Sequence, residues 1–392
     1  MKILSVNAGS SSFKFSLFNM DTSALLTNGV FERIGLNESF VRFEFNGEKI
    51  KKDCELKTHT DAVKILIDLL IEYKIINSLN EIEAVGHRIV HGGDMYSSSV
   101  LLTDGVIKQI EELSSLAPLH NPANIMGIKG FKEVLDVPMV GVFDTAFHQT
   151  IDKEEYLYAT PYEWYEKHGI RKYGFHGTSH KYVSETISKE LNRNDLKIIS
   201  CHLGNGSSIS AVKNGKCIDT TMGFTPSCGL IMGTRSGDID FSMIEYIMKT
   251  TGKSIEDVMT DLNKKSGLYG LSNGHSDNRE IEDGVKAGDE RCILADNMLI
   301  KSIVKYISMY NTLLEGADVI TFCAGIGENA IGLREKVVAK LNCLGVKLDS
   351  EANNVRGKLR KISTDDSSME CYIVPTNEEL EIALETKRIV GE

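Results

Sequence analysis

The chain has 392 residues, a formal net charge of -11 at pH 7 and 42% hydrophobic residues. This length exceeds one typical domain, and the apolar fraction is enough for a core in each of two or three, so we expect a multidomain globular protein. The acidic balance, without any basic run, argues against nucleic-acid binding. No apolar stretch approaches the roughly 20 residues of a membrane helix, and the first segment becomes polar too early for a signal peptide. We therefore expect a cytoplasmic protein that does not bind membranes.

The eight cysteines are scattered along the chain and form no C-x-x-C pair. Several of them, such as Cys323 and Cys371, lie in apolar segments. We expect reduced core side chains, and neither a disulfide framework nor a zinc site.

An internal repeat is the most informative feature of the chain. Residues 2–13 and 197–209 share the order strand, small-residue turn, strand. In the returning strands, Phe13, Phe15 and Leu17 alternate onto one face in the first copy, and Ile209 and Ala211 do so in the second. The second copy continues into an Asn-Gly hairpin turn at 214–215. The repeat predicts two halves of similar design that pack over a cleft.

Further elements are predicted from apolar spacing and turn residues. Each half is expected to continue with strands, helices and a last apolar strand that ends in a turn. The predictions are strands at 40–45, 137–143 and 319–323, helices around 107–116, 183–191 and 293–314, a turn at 325–329, and a final helix that is capped near 376–377.

Two turns at duplicated positions, Gly9 to Ser12 and Gly204 to Ser207, are rich in glycine and serine. Their backbone N–H groups and hydroxyls suit phosphate oxygens, and Lys14 follows the first turn. Because the turns lie in corresponding places of the repeat, they predict one nucleotide held between the halves.

Two arginines lie in glycine-flanked segments, Arg88 in GHRIVHGG and Arg235 in MGTRSGD. An arginine in such a flexible setting can form a surface ion pair. Two of them favour a clamp on a transferring phosphoryl group, because a planar guanidinium matches its oxygens bidentately. His176 is bracketed by glycines before a predicted helix, which favours hydrogen bonding to a charged transition state over a structural role.

Two carboxylates are candidates for a metal site. Asp144 follows an apolar strand, at the end of an α/β sheet where ligand groups are presented, and Glu378 begins the last predicted helix. As alternatives, Asp144 is a turn former or cap, and Glu378 complements the positive end of its helix. As metal ligands, the two would hold Mg²⁺ through few protein contacts and retained waters.

Two other classes of protein compete with a kinase. Residues 325–330 satisfy G-x-G-x-x-A after a strand, and Asp349 lies near the position of a ribose-binding acid, as in a nicotinamide-dependent oxidoreductase. A non-catalytic nucleotide switch would share the two phosphate turns. The paired arginines and the apolar residues near them favour an enzyme.

Taken together, ten segments resemble the acetate kinase family: VNAGSSSFK, GHRIVHGG, APLHNP, VFDTAFH, YGFHGTSH, HLGNGSS, MGFTP, MGTRSGDID, AGIGEN and PTNEE. They occur in family order from Val6 to Glu379, which is almost the whole chain. The resemblance implies an α/β fold of duplicated ribonuclease H-like, actin-like ATPase domains, with mixed sheets flanked by helices and an active site in the interdomain cleft. It also implies a homodimer and reversible in-line phosphoryl transfer between ATP and acetate, giving ADP and acetyl phosphate.

The resemblance implies roles for individual residues. The domains would be 1–147 plus 380–392 on the acyl and phosphoryl side and 148–379 on the nucleotide side. The catalytic residues would be Arg88, Asp144, His176 and Arg235. Mg²⁺, with Mn²⁺ as a substitute, would be placed by Asn7 and Glu378. Arg88 would bind the carboxylate above an apolar acyl pocket formed by Val90, Leu119, Phe175 and Pro226. The nucleotide would contact Lys14, His202, Leu203, Gly204, Asn205, Gly206, Asp277, Asn278, Arg279, Gly325, Ile326, Gly327, Glu328 and Asn329.

The sequence departs from the family pattern in two places. Ser227-Cys228 replaces a usual Leu-Glu after Thr-Pro, and Phe241 replaces a usual Pro after Asp-Ile-Asp. Neither change removes a catalytic group. Because the first lies beside the expected acyl pocket, propionate or butyrate remains an alternative substrate.

Overall fold

The computed structural model describes residues 1–118 and 120–391. It contains two compact units, Met1–Gln149 with Asn377–Glu392 and Thr150–Thr376. The domain limits expected from the sequence differ from this division at both points where the chain passes from one unit to the other. They end the first segment at 147 and begin the last at 380. The observed division places Glu378 in the same unit as Arg88 and Asp144.

The first unit contains an eight-stranded mixed sheet. Strands β1 to β5 pair antiparallel, β1, β6 and β8 pair parallel in the middle, and β7 pairs antiparallel with β8 at the far edge. The spatial order is β5-β4-β3-β2-β1-β6-β8-β7. The strands are β1 (Lys2–Ala8), β2 (Ser12–Asn19), β3 (Ala24–Glu32), β4 (Phe40–Phe45), β5 (Glu48–Asp53), β6 (Ala84–Ile89), β7 (Val100–Leu101) and β8 (Met139–Phe143).

Three helices of the first unit cover one face of this sheet. They are α1 (His59–Glu72), α2 (Asp104–Glu112) and α3 (Asn121–Val134). A capping box formed by Thr58 and Asp61 starts α1, because each side chain accepts a backbone N–H of the other. The core beneath the helices is aromatic, with the ring of Phe13 in contact with those of Phe31 and Phe131.

The second unit repeats this design around a six-stranded sheet. Its strands are β9 (Lys197–Leu203), β10 (Ser207–Lys213), β11 (Lys216–Thr220), β12 (Val319–Cys323), β13 (Arg360–Lys361) and β14 (Glu370–Ile373). The order β11-β10-β9-β12-β14 matches β3-β2-β1-β6-β8 in both neighbours and strand directions. The duplication predicted from residues 2–13 and 197–209 is therefore confirmed.

Helices surround the second sheet. They are α4 (Lys153–Tyr156), α5 (Tyr162–His168), α6 (Gly177–Glu190), α7 (Ser242–Thr251), α8 (Ile255–Lys264), α9 (Gly267–Leu271), α10 (Asn278–Ala287), α11 (Glu290–Leu313), α12 (Ala324–Asn329), α13 (Ile331–Lys340) and α14 (Ser350–Asn353). The longest, α11, starts where Asp289 accepts two backbone N–H groups, and it buries a stripe that includes Leu299, Ile303 and Ile307.

The last helix, α15 (Glu378–Gly391), returns to the first unit. The side chain of Asn377 accepts the backbone N–H of Leu380, which confirms the predicted polar cap. The helix lies against β6 at Gly86, where an added Cβ would come within 2.2 Å of Thr386 Oγ1. Only glycine permits this close approach.

Two predicted boundaries were wrong. The strand expected at 137–143 begins at Met139, because Pro138 has no N–H to donate to the sheet. The turn expected at 325–329 is part of the helix α12, whose first residue, Ala324, has a φ of 61°. The Asn329 side-chain amide donates to the carbonyl of Gly325 and ties this single turn together.

All eight cysteines lie outside any disulfide, and five of them are buried. Within the described residues, every helix is too short or too polar to cross a bilayer.

Candidate active site

Arg88 and Asp144 form a two-pronged ion pair at the ends of adjacent parallel strands. Arg88 Nε donates to Asp144 Oδ1 at 2.9 Å, and Nη2 donates to Oδ2 at 2.6 Å. Burial alone would lower the pKa of Arg88, but the charge of Asp144 and its hydrogen bonds raise it overall. Asp144 is 2% exposed, so the carboxylate is held in one orientation by a permanently charged partner. Nη1 stays outside the pair.

Glu378 adds a second carboxylate to this region. Desolvation, with the neighbouring charges of Asp144 and Glu379, raises the pKa of Glu378 to about 7, against the lowering effect of Arg88 and Lys14. The carboxylates therefore destabilise one another, which is the condition that a bound cation relieves. No group of three or more His, Cys, Asp or Glu side chains is arranged for a metal anywhere in the described chain. A cation here would depend on two carboxylates and water, a donor set that fits Mg²⁺.

The first phosphate turn lies beside these groups in the sheet. Asn7 on β1 is the cross-strand partner of Lys14 on β2. The turn between them is closed by Gly9 N–H, which donates to the carbonyl of Ser12 at 2.8 Å. The carbonyl of Gly9 also contacts His59 Nε2 at 2.8 Å. These bonds give the turn a defined shape, and Lys14 is exposed.

Two buried asparagines on α3 hold the segment that follows Arg88, and sequence reasoning missed both. Asn124 accepts the N–H of Val90 and donates to the carbonyl of Ala8, which links β6 to β1. Asn121 accepts from and donates to the backbone of His91. Their spacing of three on the buried face of a helix was the available signal, because a polar residue there needs a partner.

The predicted acyl-pocket residues are divided between the units. Val90 is half-buried in the first unit, and Phe175 is 3% exposed in the second. Pro226, also in the second unit, accepts a hydrogen bond from Arg235 through its carbonyl. Leu119 lies outside the described residues.

Arg235 lies against the second phosphate turn. Its Nη1 donates to the carbonyl of Pro226 at 2.7 Å, and Nη2 would lie 3.1 Å from a Cβ added at Gly206. Gly233, two residues earlier, donates its N–H to the carbonyl of Asn205. Burial lowers the pKa of Arg235. The glycines of both segments thus allow the guanidinium to pack directly on the Gly204–Ser207 turn.

His176 immediately precedes α6 and has a left-handed backbone, with a φ of 59°. Its ring stacks on His202, with centroids 4.1 Å apart. Its Nδ1 lies 2.9 Å from Ser208 Oγ. A non-glycine residue in this strained conformation, with its ring held on two sides, is typical of a functional position.

A cavity of about 620 Å³ brings most of the predicted nucleotide residues together. It is lined by Gly204, Asn205, Asp277, Asn278, Arg279, Gly325, Ile326 and Asn329. Six other predicted residues do not line it: His202, Leu203, Gly206, Gly327, Glu328 and Lys14, the last of which belongs to the first unit.

Four further residues line the same cavity and were missed: Ser276, Glu282, Ala330 and Arg356. Asn278 is 6% exposed, its Nδ2 donates to Glu282, and its Oδ1 has no partner within the described chain. A buried acceptor without a partner indicates a ligand or water donor. Asp349, the acid suggested for an oxidoreductase, instead caps α14 by accepting the N–H groups of Glu351 and Ala352.

Comparison with known proteins agrees with this architecture. The model of the acetokinase family matches residues 2–384. The chain is 54% identical to the acetate kinase of Bacillus subtilis, with 99% of both chains covered.

Two solved structures superpose on nearly the whole chain. The acetate kinase of Porphyromonas gingivalis has a TM-score of 0.96 at 44% identity, and a propionate kinase from Francisella tularensis has 0.94 at 43% identity. In both comparisons 99% of each chain is covered. The expected class of duplicated ribonuclease H-like α/β domains is confirmed, and the oxidoreductase alternative has no support.

A full-length family match and this identity over the whole chain agree with the duplicated sheets and the paired phosphate turns. The chain belongs to the acetokinase family, and it is a kinase that transfers phosphate to a carboxylate.

Proposed function

We propose that this protein catalyses reversible phosphoryl transfer between ATP and acetate, giving ADP and acetyl phosphate by direct in-line displacement. The observation that carries the proposal is the buried two-pronged pair of Arg88 with Asp144 beside Glu378. An arginine oriented in this way presents its remaining N–H groups in one plane. That geometry suits a carboxylate and the equatorial oxygens of a transferring phosphoryl group.

Each unit has its own proposed role. In the first unit, Arg88 binds the carboxylate and phosphoryl group, Asp144 is the essential acidic group and Lys14 lies near the nucleotide phosphates. In the second, the 620 Å³ cavity binds the nucleoside, and His176 and Arg235 donate hydrogen bonds to the charge that develops during transfer.

Mg²⁺ is the proposed metal, with Mn²⁺ as a substitute. The mutual repulsion of Asp144 and Glu378 supports this assignment, and Asn7 would help to place the ion. When bound, such a cation neutralises charge on the nucleotide phosphates. Glu378 is then held as a carboxylate, because the positive charge of the ion offsets the desolvation and the neighbouring carboxylates that raise its pKa.

The proposed setting is the cytoplasm, as a homodimer without nucleic-acid or membrane partners. The helix α7 supports the dimer because none of its residues is buried, although it carries Met243, Tyr246 and Ile247. Phe241, just before the helix, is 81% exposed. A contiguous apolar surface of this kind is typical of an interface.

Propionate is the alternative substrate that a specific observation favours. A propionate kinase superposes as closely as an acetate kinase does, so the fold does not distinguish the two acids. Val90, which is half-buried in the segment after Arg88, is the proposed wall for the acyl group. One methylene is worth about 1 to 3 kcal/mol in an apolar site, so we expect acetate to be preferred over propionate by about 10- to 200-fold.

The experiment is a coupled assay of acyl phosphate formation with acetate, propionate and butyrate, each with ATP and other nucleoside triphosphates. The parent enzyme should prefer acetate and react scarcely with butyrate. Val90→Ala should narrow the ratio of kcat/KM for acetate over propionate, chiefly through better propionate binding. A parent that prefers propionate or butyrate would contradict the acetate assignment. An unchanged ratio in Val90→Ala would reject Val90 as the wall.

A further inference from the structure

A buried chain of hydroxyl and imidazole groups ends at His176. Ser208 Oγ lies 2.9 Å from His176 Nδ1 and 2.8 Å from His180 Nε2. On the other side of the second ring, His180 Nδ1 lies 2.9 Å from Ser200 Oγ. His180, Ser208 and Ser200 are all completely buried, whereas His176 is partly exposed.

The secondary structure explains why these groups meet. His176 is the residue just before α6 and His180 lies in the first turn of that helix, where its backbone N–H donates to the carbonyl of His176. Ser200 and Ser208 lie on the neighbouring strands β9 and β10, on the face opposite to the core residue Ile209. The result is a polar row beneath α6, in a position where most sheets place apolar side chains.

The number of hydrogens that these side chains carry determines the direction of the hydrogen bonds along the row. A hydroxyl has one hydrogen, so Ser208 can donate to only one of its two imidazoles and must accept from the other. If His180 Nε2 donates to Ser208, then Ser208 donates to His176 Nδ1, and Ser200 donates to His180 Nδ1. In the opposite direction Ser200 would accept, and its own buried hydrogen would have no acceptor among the described residues. An unsatisfied buried donor is costly, so the first direction is favoured.

We propose that Ser200, His180 and Ser208 are positioning residues that hold neutral His176 as its Nε2–H tautomer. With Nδ1 occupied as an acceptor, the single ring hydrogen of His176 is on Nε2. The nitrogen that does not face Ser208 is then a donor. This inference rests on the proposed role of His176, because a donor, and not a lone pair, stabilises negative charge on a phosphoryl group.

The first test is the tautomer itself, which requires no activity. Nitrogen-15 NMR of histidine-labelled protein should show His176 with a protonated Nε2 and an unprotonated Nδ1 at neutral pH, assigned by loss of its signals in His176→Gln. In Ser208→Ala the two nitrogen signals should move towards an average of both tautomers. Ser208→Thr keeps the hydroxyl and should restore the parent pattern.

The matched control is Ser210→Ala. Ser210 is a buried serine on the same strand and the same face, but its hydroxyl bonds to Thr220 at 2.8 Å and not to a histidine. This variant should leave the His176 signals unchanged. A purely structural role for the buried row would predict equal effects of the two alanine substitutions.

Kinetics supply the second test. Ser208→Ala should lower kcat by about tenfold with little change in KM for acetate or ATP, which is the scale of one lost hydrogen bond. Ser200→Ala, one step further away, should lower kcat less and shift the tautomer in the same direction. Circular dichroism and thermal unfolding establish that each variant is folded.

The two proposals fail in different ways. If His176→Gln keeps normal turnover, the proposed role of His176 is rejected whatever the tautomer. If the parent shows His176 protonated on Nδ1, or if Ser208→Ala leaves the tautomer unchanged, the positioning role is rejected even when His176 itself is essential. Equal effects of Ser208→Ala and Ser210→Ala would reject it as well.

Discussion

The ion pair of Arg88 and Asp144 bears on both the proposed substrate binding and the stability of the protein. Transfer of two charges from water to the interior is costly, and their close hydrogen bonding offsets that cost. Removing one partner leaves the other buried and unpaired. The sequence pointed to Asp144 as a catalytic acidic group, a metal ligand or a turn former, whereas the structure also gives it the task of orienting Arg88.

Arg88→Ala should lower turnover by about 10³-fold, or roughly 4 kcal/mol of transition-state stabilisation. It should also lower stability, because buried Asp144 loses the cation to which it is hydrogen-bonded. Steady-state kinetics with circular dichroism and thermal unfolding measure both effects. Arg42→Ala, which removes an exposed arginine on β4 of the same sheet, is the control and should keep normal turnover. A folded Arg88→Ala protein with near-normal turnover would contradict the clamp.

His87, the neighbour of Arg88, gives a prediction about pH. Its ring is buried against Phe131, its Nε2 has no partner among the described residues, and burial lowers its pKa from 6.5 to about 3. Below pH 6.5 the unfolded chain binds a proton at this site that the native protein does not. Stability therefore falls as the pH falls from about 6.5 towards 3.

His87→Asn removes this contribution. Between pH 7 and pH 5 the parent should lose about 2 kcal/mol more unfolding free energy than the variant does. Urea unfolding of both proteins at the two pH values measures the difference, and the effect of the substitution at pH 7 serves as the baseline. Equal losses would mean that His87 does not bind a proton differently in the two states.

At the scale of elements, one buried arginine holds the segment after β12 in place. Arg334 on α13 is completely buried and donates four hydrogen bonds, to the carbonyl of Gly327 in α12, to the side chain and carbonyl of Asn353, and to the carbonyl of Val355. Burial lowers its pKa to about 10, so it remains charged at neutral pH. The cation thus links α12 to the segment that contains Arg356 of the nucleoside cavity.

Arg334→Ala should destabilise the protein by about 3 to 5 kcal/mol, because three buried carbonyls lose their donor. Nucleotide binding should weaken as well, since Gly325 and Ile326 lie on the helix that loses support. Denaturant unfolding and calorimetric ATP binding measure the two effects. Arg360→Ala, at an exposed arginine on β13, should change neither. A stability like that of the parent would show that water replaces the guanidinium at no cost.

At the scale of the whole molecule, the apolar surface of α7 is the feature that a single chain leaves unexplained. Tyr246 is 69% exposed and Met243 is 54% exposed, on a helix without any buried residue. Phe241, just before the helix, adds a further exposed aromatic ring to this surface. Because each chain carries a formal charge of -11, two chains repel each other. An apolar interface must overcome this repulsion.

Tyr246→Arg should convert the proposed dimer into a monomer, because a charge placed inside an apolar interface has no partner. Sedimentation velocity over a range of protein concentrations measures the change. Trp164→Arg replaces another exposed aromatic residue, 46% exposed on α5, and should remain dimeric. A parent protein that is monomeric, or a dimer that survives Tyr246→Arg, would argue against this surface.

The sequence alone determined the class of fold, the duplication and the family. These follow from local patterns: alternation in Phe13, Phe15 and Leu17, the Asn214-Gly215 turn, and ten motifs in a set order. Such signals depend on residues that are neighbours in the chain, so they can be recognised without knowledge of tertiary contacts. Even the polar cap at Asn377 was predictable, because capping is a local hydrogen bond.

Tertiary structure alone decided which side chains share an environment. Several hydrogen bonds join residues that are 20 or more positions apart: Val90 with Asn124, His180 with Ser200, and His176 with Ser208. The burial of Arg334 likewise depends on residues from other elements. The helix α12 was read as a turn because glycine and asparagine favour turns locally, and packing against β12 overrode that preference. Burial and partnership depend on the folded surroundings of a residue, and no local pattern in the sequence specifies them.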